Sequence, residues 1–330
     1  MMMGSPTLRT FAGRRRAAVC TPPLLMLACD LLRDMEEQWL DPRAVDRLHS
    51  TCRTLSVRPR HADWEWLQAW GLTVTEPNTF LCLRAAEKGR LQALRWARAA
   101  GKPWNAPWVC TYAALGGHLD LLAWAYEQGC PVDQTTCSYA ARGGHLPVIQ
   151  WLRERGCQWD KKTCEDAAAS GHLEVLKWAR ANGCPWGWAT SARAASEGRF
   201  AVLRWAHKNG CAWDALTSAC AAAGGHRALL QWAHEQGCPM DEVTCAEAAY
   251  HGHLDLLIWA REAGCDWNED TCANAAGRGH LPILQYARLH GCPWDERVCC
   301  DAAAGGHCEV LEWARGNGCE CPEELEVVSD

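Results

Sequence analysis

Between residues 78 and 321 the apolar and polar positions recur with a period of 27 residues. One copy reads DKKTCEDAAASGHLEVLKWARANGCPW, from Asp160 to Trp186. The glycine of its G-H-L turn returns at Gly117, Gly144, Gly171, Gly198, Gly225, Gly252, Gly279 and Gly306. A weaker copy at Gly89 lies 28 residues before Gly117, giving nine copies in all. Each copy predicts two short helices joined by a turn. The first is the T-C-x-x-A-A segment, which Asp160 is placed to cap three residues before Thr163. Ala167 and Ala168 are small enough for a neighbouring helix to come close. The second is LEVLKWARAN, with Leu173, Leu176 and Trp178 as its apolar positions. Gly183 stands where the chain leaves the helix through positive φ, and Pro185 beyond it cannot extend the helix.

Helices of about ten residues are too short to be stable alone in water. Each apolar stripe must therefore be covered by the next copy in line, which makes a solenoid. Two ladders of large side chains fit core packing between copies. One is Trp96, Trp124, Trp151, Trp178, Trp205, Trp232, Trp259, Tyr286 and Trp313. The other is Trp104, Trp159, Trp186, Trp213, Trp267 and Trp294, with Val132 and Met240 on two rungs. The expected fold is all-α.

The words A-A-x-x-G-H-L-E-V, a hydrophobic helix, then glycine and a small residue resemble the ankyrin repeat. With tryptophan in the second helix and G-C-P-W-D after it, the wording looks most like ankyrin proteins encoded by large DNA viruses. The family's unit is ~33 residues, so six are missing here. The gap falls where the family places a β-hairpin, and T-C-x-x replaces the family's T-P-L-H opening. The resemblance thus implies about nine stacked helix-turn-helix repeats whose hairpin fingers are cut to tight loops. Connectors such as Asp133, Gln134, Thr135 and Thr136 turn the chain without projecting a finger.

Net charge is −6, which argues against non-specific nucleic-acid binding. No apolar run approaches the ~18 residues of a membrane span. The chain has 22 cysteines, and 15 of them fall at two fixed sites of the repeat. Cys82, Cys110, Cys137, Cys164, Cys245, Cys272 and Cys299 lie in the first helix. Cys130, Cys157, Cys184, Cys211, Cys238, Cys265, Cys292 and Cys319 follow the helix-ending glycine. A zinc or disulfide reading would pair cysteines seven apart, such as Cys130 with Cys137. Ser191 and Ser218 break that pairing, and no C-x-x-C has structural-zinc spacing. The thiols read as small buried apolar groups, with disulfides open to oxidation. No metal or cofactor is expected. The turn histidines His118, His145, His172, His226, His253, His280 and His307 are expected to bond backbone carbonyls near the turn. Seven equal sites do not make a catalytic centre, and the chain reads as a non-enzyme.

Residues 1–21 read as a disordered leader, 22–77 as a small helical segment, 78–321 as the repeat array and 322–330 as an acidic tail. Residues 22–57 resemble an F-box: leucines up to Leu32, a D-P break, then R-L-x-x-T-C-R-x-L. The family's Leu-Pro start is replaced by Pro23-Leu24. The resemblance implies docking of the adaptor subunit of a cullin-type ubiquitin ligase through Pro23, Leu24, Leu27, Leu31, Leu48, Cys52 and Leu55. The alternative is a helical cap over the apolar end of the array.

Positions that vary between copies point to solvent or to a partner. Those of the first helix are Thr111, Tyr112, Ser138, Tyr139, Arg142, Glu165, Asp166, Arg193, Glu197, Glu247, Tyr250, His251, Asn274, Arg278 and Asp301. The ankyrin resemblance puts them on the concave face, rimmed by Lys161-Lys162 and Glu269-Asp270. Glu174, Lys177 and Arg180 of the second helix read as a solvated face. The expected function is a protein interaction scaffold that holds a target on the concave face, with the ligase link implied by the F-box words. A passive interaction or decoy protein and a thiol-based metal or redox protein are the alternatives. Cytoplasm is the expected location, host cytoplasm for a viral protein, with the nucleus as the other option.

Overall fold

The computed structural model describes residues 78–99 and 106–321. The leader, the F-box-like segment, Trp104, the side chain of Trp96 and the acidic tail lie outside the described residues. The chain divides into two compact units, Met1–Leu81 with Gln92–Pro103 and Cys82–Leu91 with Trp104–Asp330. Every described regular element is an α-helix, and they come in pairs. The first pair is α1 (Asn78–Glu87) and α2 (Leu91–Ala99), followed by α3 (Ala106–Leu115) and α4 (Leu119–Glu127). Then come α5 (Gln134–Gly143), α6 (Leu146–Glu154), α7 (Lys161–Ser170), α8 (Leu173–Ala181), α9 (Trp188–Ser196) and α10 (Phe200–Lys208). They continue as α11 (Ala215–Ala223), α12 (Arg227–Glu235), α13 (Glu242–Tyr250), α14 (Leu254–Glu262), α15 (Glu269–Gly277), α16 (Leu281–Leu289), α17 (Arg297–Ala304) and α18 (Cys308–Gly316). Among the described residues no helix is long and apolar enough to cross a membrane.

From α3 onward the pairs form one solenoid. Each first helix (α3, α5 and so on to α17) lies along the first helices on either side, whereas a second helix touches chiefly its own first helix. The small residues explain the difference. Ala167, Ala168 and Cys164 are fully buried, and side chains this small let neighbouring backbones come close. The first helices together make one side of the stack, which we call the inner face, and the second helices make the other. The core of this copy is completed by Val175, Leu176, Ala179 and Cys184, each 2% exposed or less. Burying one leucine such as Leu176 contributes about 2 kcal/mol. Leu173 and Trp178, expected among the core positions, are only half-buried.

Helix starts follow the caps. Asp160 accepts from the Lys162 N–H at 3.0 Å. Asp133 and Asp214 form full capping boxes with Thr136 and Thr217. Gly187 takes the cap position of α9, which has no side-chain cap. Gln134 to Thr136, Lys161-Lys162 and Glu269-Asp270, expected as connectors or rim loops, already belong to the first turns of α5, α7 and α15. The true connectors lie just upstream, in runs such as 128–133, and no strand is present among the described residues.

Two glycines per copy adopt positive φ, Gly171 at +85° and Gly183 at +82° in the Asp160–Trp186 copy. The turn glycine has a second duty. The histidine one copy downstream lies against it and bonds a carbonyl at the end of the preceding first helix, giving it the partner that helix ends lack. His118 Nε2 meets the Glu87 oxygen at 2.8 Å, His145 the Leu115 oxygen at 2.9 Å and His172 the Arg142 oxygen at 3.1 Å. His226, His253 and His280 repeat the contact. The histidines therefore join copies, where the expectation was only a contact near their own turn. Arg199 replaces histidine in one copy, and its Nε donates to the Ala169 oxygen at 2.9 Å.

Candidate interaction face

The inner face is built from the exposed sides of the first helices. At its upstream end Trp108, Tyr112 and Tyr139 form a ring cluster with centroids 6.2 to 6.4 Å apart. Trp108 is 40% exposed and both tyrosines are half-buried. Further along, Arg278 sits over the Tyr250 ring at 4.6 Å, and His251 faces Glu247 at 3.6 Å. Arg142, Arg193, Glu197, Tyr250, His251, Arg278 and Asp301 are exposed. Asn274 is half-buried because its Nδ2 donates to the Ala246 oxygen of the preceding first helix at 3.2 Å.

Other expected face residues turn inward. Thr111 and Ser138 are buried and donate to Pro107 and Thr135 carbonyls of their own helices. Glu165 and Asp166 are each only 8% exposed. The residue directly after cysteine points between stacked first helices, where space is short. Burial raises the Asp166 pKa, and Arg193 opposes the shift. Arg193 Nε stands 3.7 Å from buried Glu165, and the half-exposed guanidinium is screened by solvent. Four exposed apolar residues of the first helices escaped the comparison of copies: Trp108 at 40%, Trp188 at 48%, and Leu216 and Val243 at 42%. They occupy the first turns of α3, α9, α11 and α13, positions that read as helix start in the sequence.

On the opposite side the two aromatic ladders merge. Trp159 meets Trp178 edge-on at 5.7 Å, and Trp186 meets Trp205 likewise. Arginines cover the loop rings: Arg153 lies 4.2 Å over Trp159 and Arg180 4.3 Å over Trp186. Arg180 also donates to the Cys184 carbonyl, so it belongs to this stripe and not to a plain solvated face. Lys177 and Glu174 do form an exposed ion pair at 2.7 Å. The rings are half-buried, so they clamp copies from outside the aliphatic core. Where Val132 interrupts the ladder, Tyr126 supplies the ring against Trp151 at 5.6 Å.

The cysteines of the two fixed sites are buried, and pairs such as Cys137 and Cys157 meet 20 residues apart, within one copy. Cys137 Sγ lies 3.4 Å from Cys157 Sγ. Ser191 and Ser218 keep the geometry, reaching Cys211 and Cys238 at 3.4 and 3.3 Å. The loop thiols also donate to the cap-residue carbonyl, as Cys157 does to Asp133 at 3.1 Å. Contact with the partner sulfur first, and burial second, hold the thiols of Cys137, Cys164, Cys245 and Cys272 far above the ordinary thiol range. They are uncharged structural groups and poor nucleophiles. The last copy differs: Cys299 is disulfide-bonded to Cys321.

No protein-family model matches the chain, and no curated protein matches it in sequence. Solved structures do match. One is the ankyrin repeat domain of human ASB11, at a TM-score of 0.39 and 20% identity, covering 48% of this chain and 84% of that one. At that level the likeness adds nothing to what the paired helices themselves display: the described chain is a solenoid of helix-turn-helix repeats.

Proposed function

We propose that the chain is a protein interaction scaffold whose inner face holds a protein target. The observation that carries this reading is the cluster of exposed Trp108 with half-buried Tyr112 and Tyr139, on a row of first helices stacked through small-residue contacts. Tyrosine, tryptophan and arginine on a stiff surface bind with little loss of side-chain entropy and dominate interface energetics. Tyr250 with Arg278 offers a second anchor on the same face. Proximity labelling in the native cell tests it. Alanine at Tyr112, Tyr139 and Tyr250 should remove the labelled target, and an unchanged set of labelled proteins removes the face from consideration.

The F-box-like words in 22–57 support a finer reading, in which the scaffold is a substrate receptor of a cullin-type ubiquitin ligase. The adaptor would dock on Pro23, Leu24, Leu27, Leu31, Leu48, Cys52 and Leu55, and the array would raise the local concentration of target near the conjugating enzyme. Pull-down with the adaptor subunit tests this. Binding lost on deleting 22–57 supports it, and no binding by the intact chain leaves a scaffold or decoy without a ligase link.

A further inference from the structure

One thiol cluster breaks the two-per-copy rule. In seven copies the second residue after the loop cysteine is Val132, Trp159, Trp186, Trp213, Met240, Trp267 or Trp294, and in the last it is Cys321. The ladder position that elsewhere carries a large apolar side chain here carries a third sulfur. The sulfurs of Cys299, Cys319 and Cys321 all lie within 4.8 Å of one another. Cys299 and Cys319 are buried and Cys321 is half-buried, which gives the cluster an anchored side and an entry side. Cys319 keeps its counterparts' contact, donating to the Asp295 carbonyl at 3.4 Å, so its sulfur is already positioned. Among the described residues no other group of three metal-ligating side chains is this close. Three thiolates bound to one zinc at ~2.3 Å stand about 4 Å apart, a spacing this cluster reaches with small side-chain adjustments.

We propose that reduction of the Cys299–Cys321 disulfide opens a three-thiolate site, Cys299, Cys319 and Cys321, for a thiophilic d10 cation such as zinc. The proposal goes beyond the scaffold reading and does not depend on it. A dithiol reductant breaks the sulfur–sulfur bond. Two electrons and two protons pass to Cys299 and Cys321, and the reductant leaves as its own disulfide. The cation then displaces the three thiol protons to solvent. Three protein ligands leave a fourth coordination place for water or an added ligand. In the disulfide form only Cys319 has a thiolate to offer, so the same bond that ties residue 321 to α17 closes the site.

The test is zinc uptake by the full chain against a chromophoric chelator, in four preparations: reduced wild type, wild type with the disulfide intact, reduced Cys321→Ser and reduced Cys300→Ser. Reduced wild type should hold one zinc per chain more than the disulfide form and one more than Cys321→Ser, and Cys300→Ser should match reduced wild type. Unchanged helical circular dichroism in Cys321→Ser ties its lost zinc to the site. Equal uptake by wild type and Cys321→Ser overturns the site. Equal uptake with the disulfide intact overturns the gating, and loss in Cys300→Ser overturns the ligand set.

Discussion

Replacing Gly144 by alanine tests whether the turn glycine and the downstream histidine act as one joint. Gly144 has φ +79°, and a Cβ there would stand 2.6 Å from His172 Cε1 and Nδ1. A real Cβ does not approach that closely, so the ring must move and release the Arg142 carbonyl that it bonds at 3.1 Å. Left-handed backbone with a side chain costs about 1–2 kcal/mol. Loss of the hydrogen bond adds about 1 kcal/mol. Gly156 is the internal control: its φ is +76°, and a Cβ there meets nothing within 4 Å. Gly156→Ala should therefore show the backbone cost alone, and Gly144→Ala should cost about 1 kcal/mol more. Urea unfolding followed by helical circular dichroism gives both numbers, provided the slopes agree. In a His172→Ala background the extra cost of Gly144→Ala should vanish, because the obstructing ring is gone. Equal costs for the two glycines, or an extra cost that survives removal of the ring, refutes the joint.

Asp160→Ala should destabilise by about 1 kcal/mol through the lost cap, and Asp241→Ala by less, since Asp241 makes no side-chain cap bond; the same urea experiment compares them. Cys164→Ser should be tolerated to within about 1 kcal/mol, because Ser191 and Ser218 at the equivalent position bond the carbonyls of Ala212 and Pro239 at 2.9 and 2.7 Å; a much larger loss shows that sulfur packing dominates. Burial, ahead of the opposing Leu115 bond, lowers the His145 pKa from its ordinary 6.5. The unfolded chain then binds more protons just below that value, so His145 lowers stability as pH falls through 6.5. His145→Gln should flatten that part of the stability–pH curve, and an unchanged slope removes His145 as a source.

The period, the helix pairs, the Asp160 cap and the left-handed Gly183 were legible because they recur from copy to copy and each acts over a few residues. What the sequence hid lies across longer reaches. Cysteines seven apart look like neighbours along the chain, but the turn of the second helix brings Cys137 to Cys157 instead. The histidines bond carbonyls 30 or 31 residues upstream, a distance that no local word marks. The tryptophans read as core because they recur, yet recurrence serves an external clamp equally well. On the inner face, alternation between copies marked Tyr112, Tyr250 and Arg278 but could not separate Glu165, which the stacking of first helices buries.

The histidine contact runs one way. In the six joints that make it, a unit's first helix is finished by the unit after it, 30 residues later for His145 and Leu115. Ribosomal synthesis therefore delivers each of these units unsealed and seals it only when its successor has emerged. Excision of a single unit leaves its upstream neighbour unsealed unless the next histidine moves into register, so gain or loss of copies is tolerated only in whole multiples of the period.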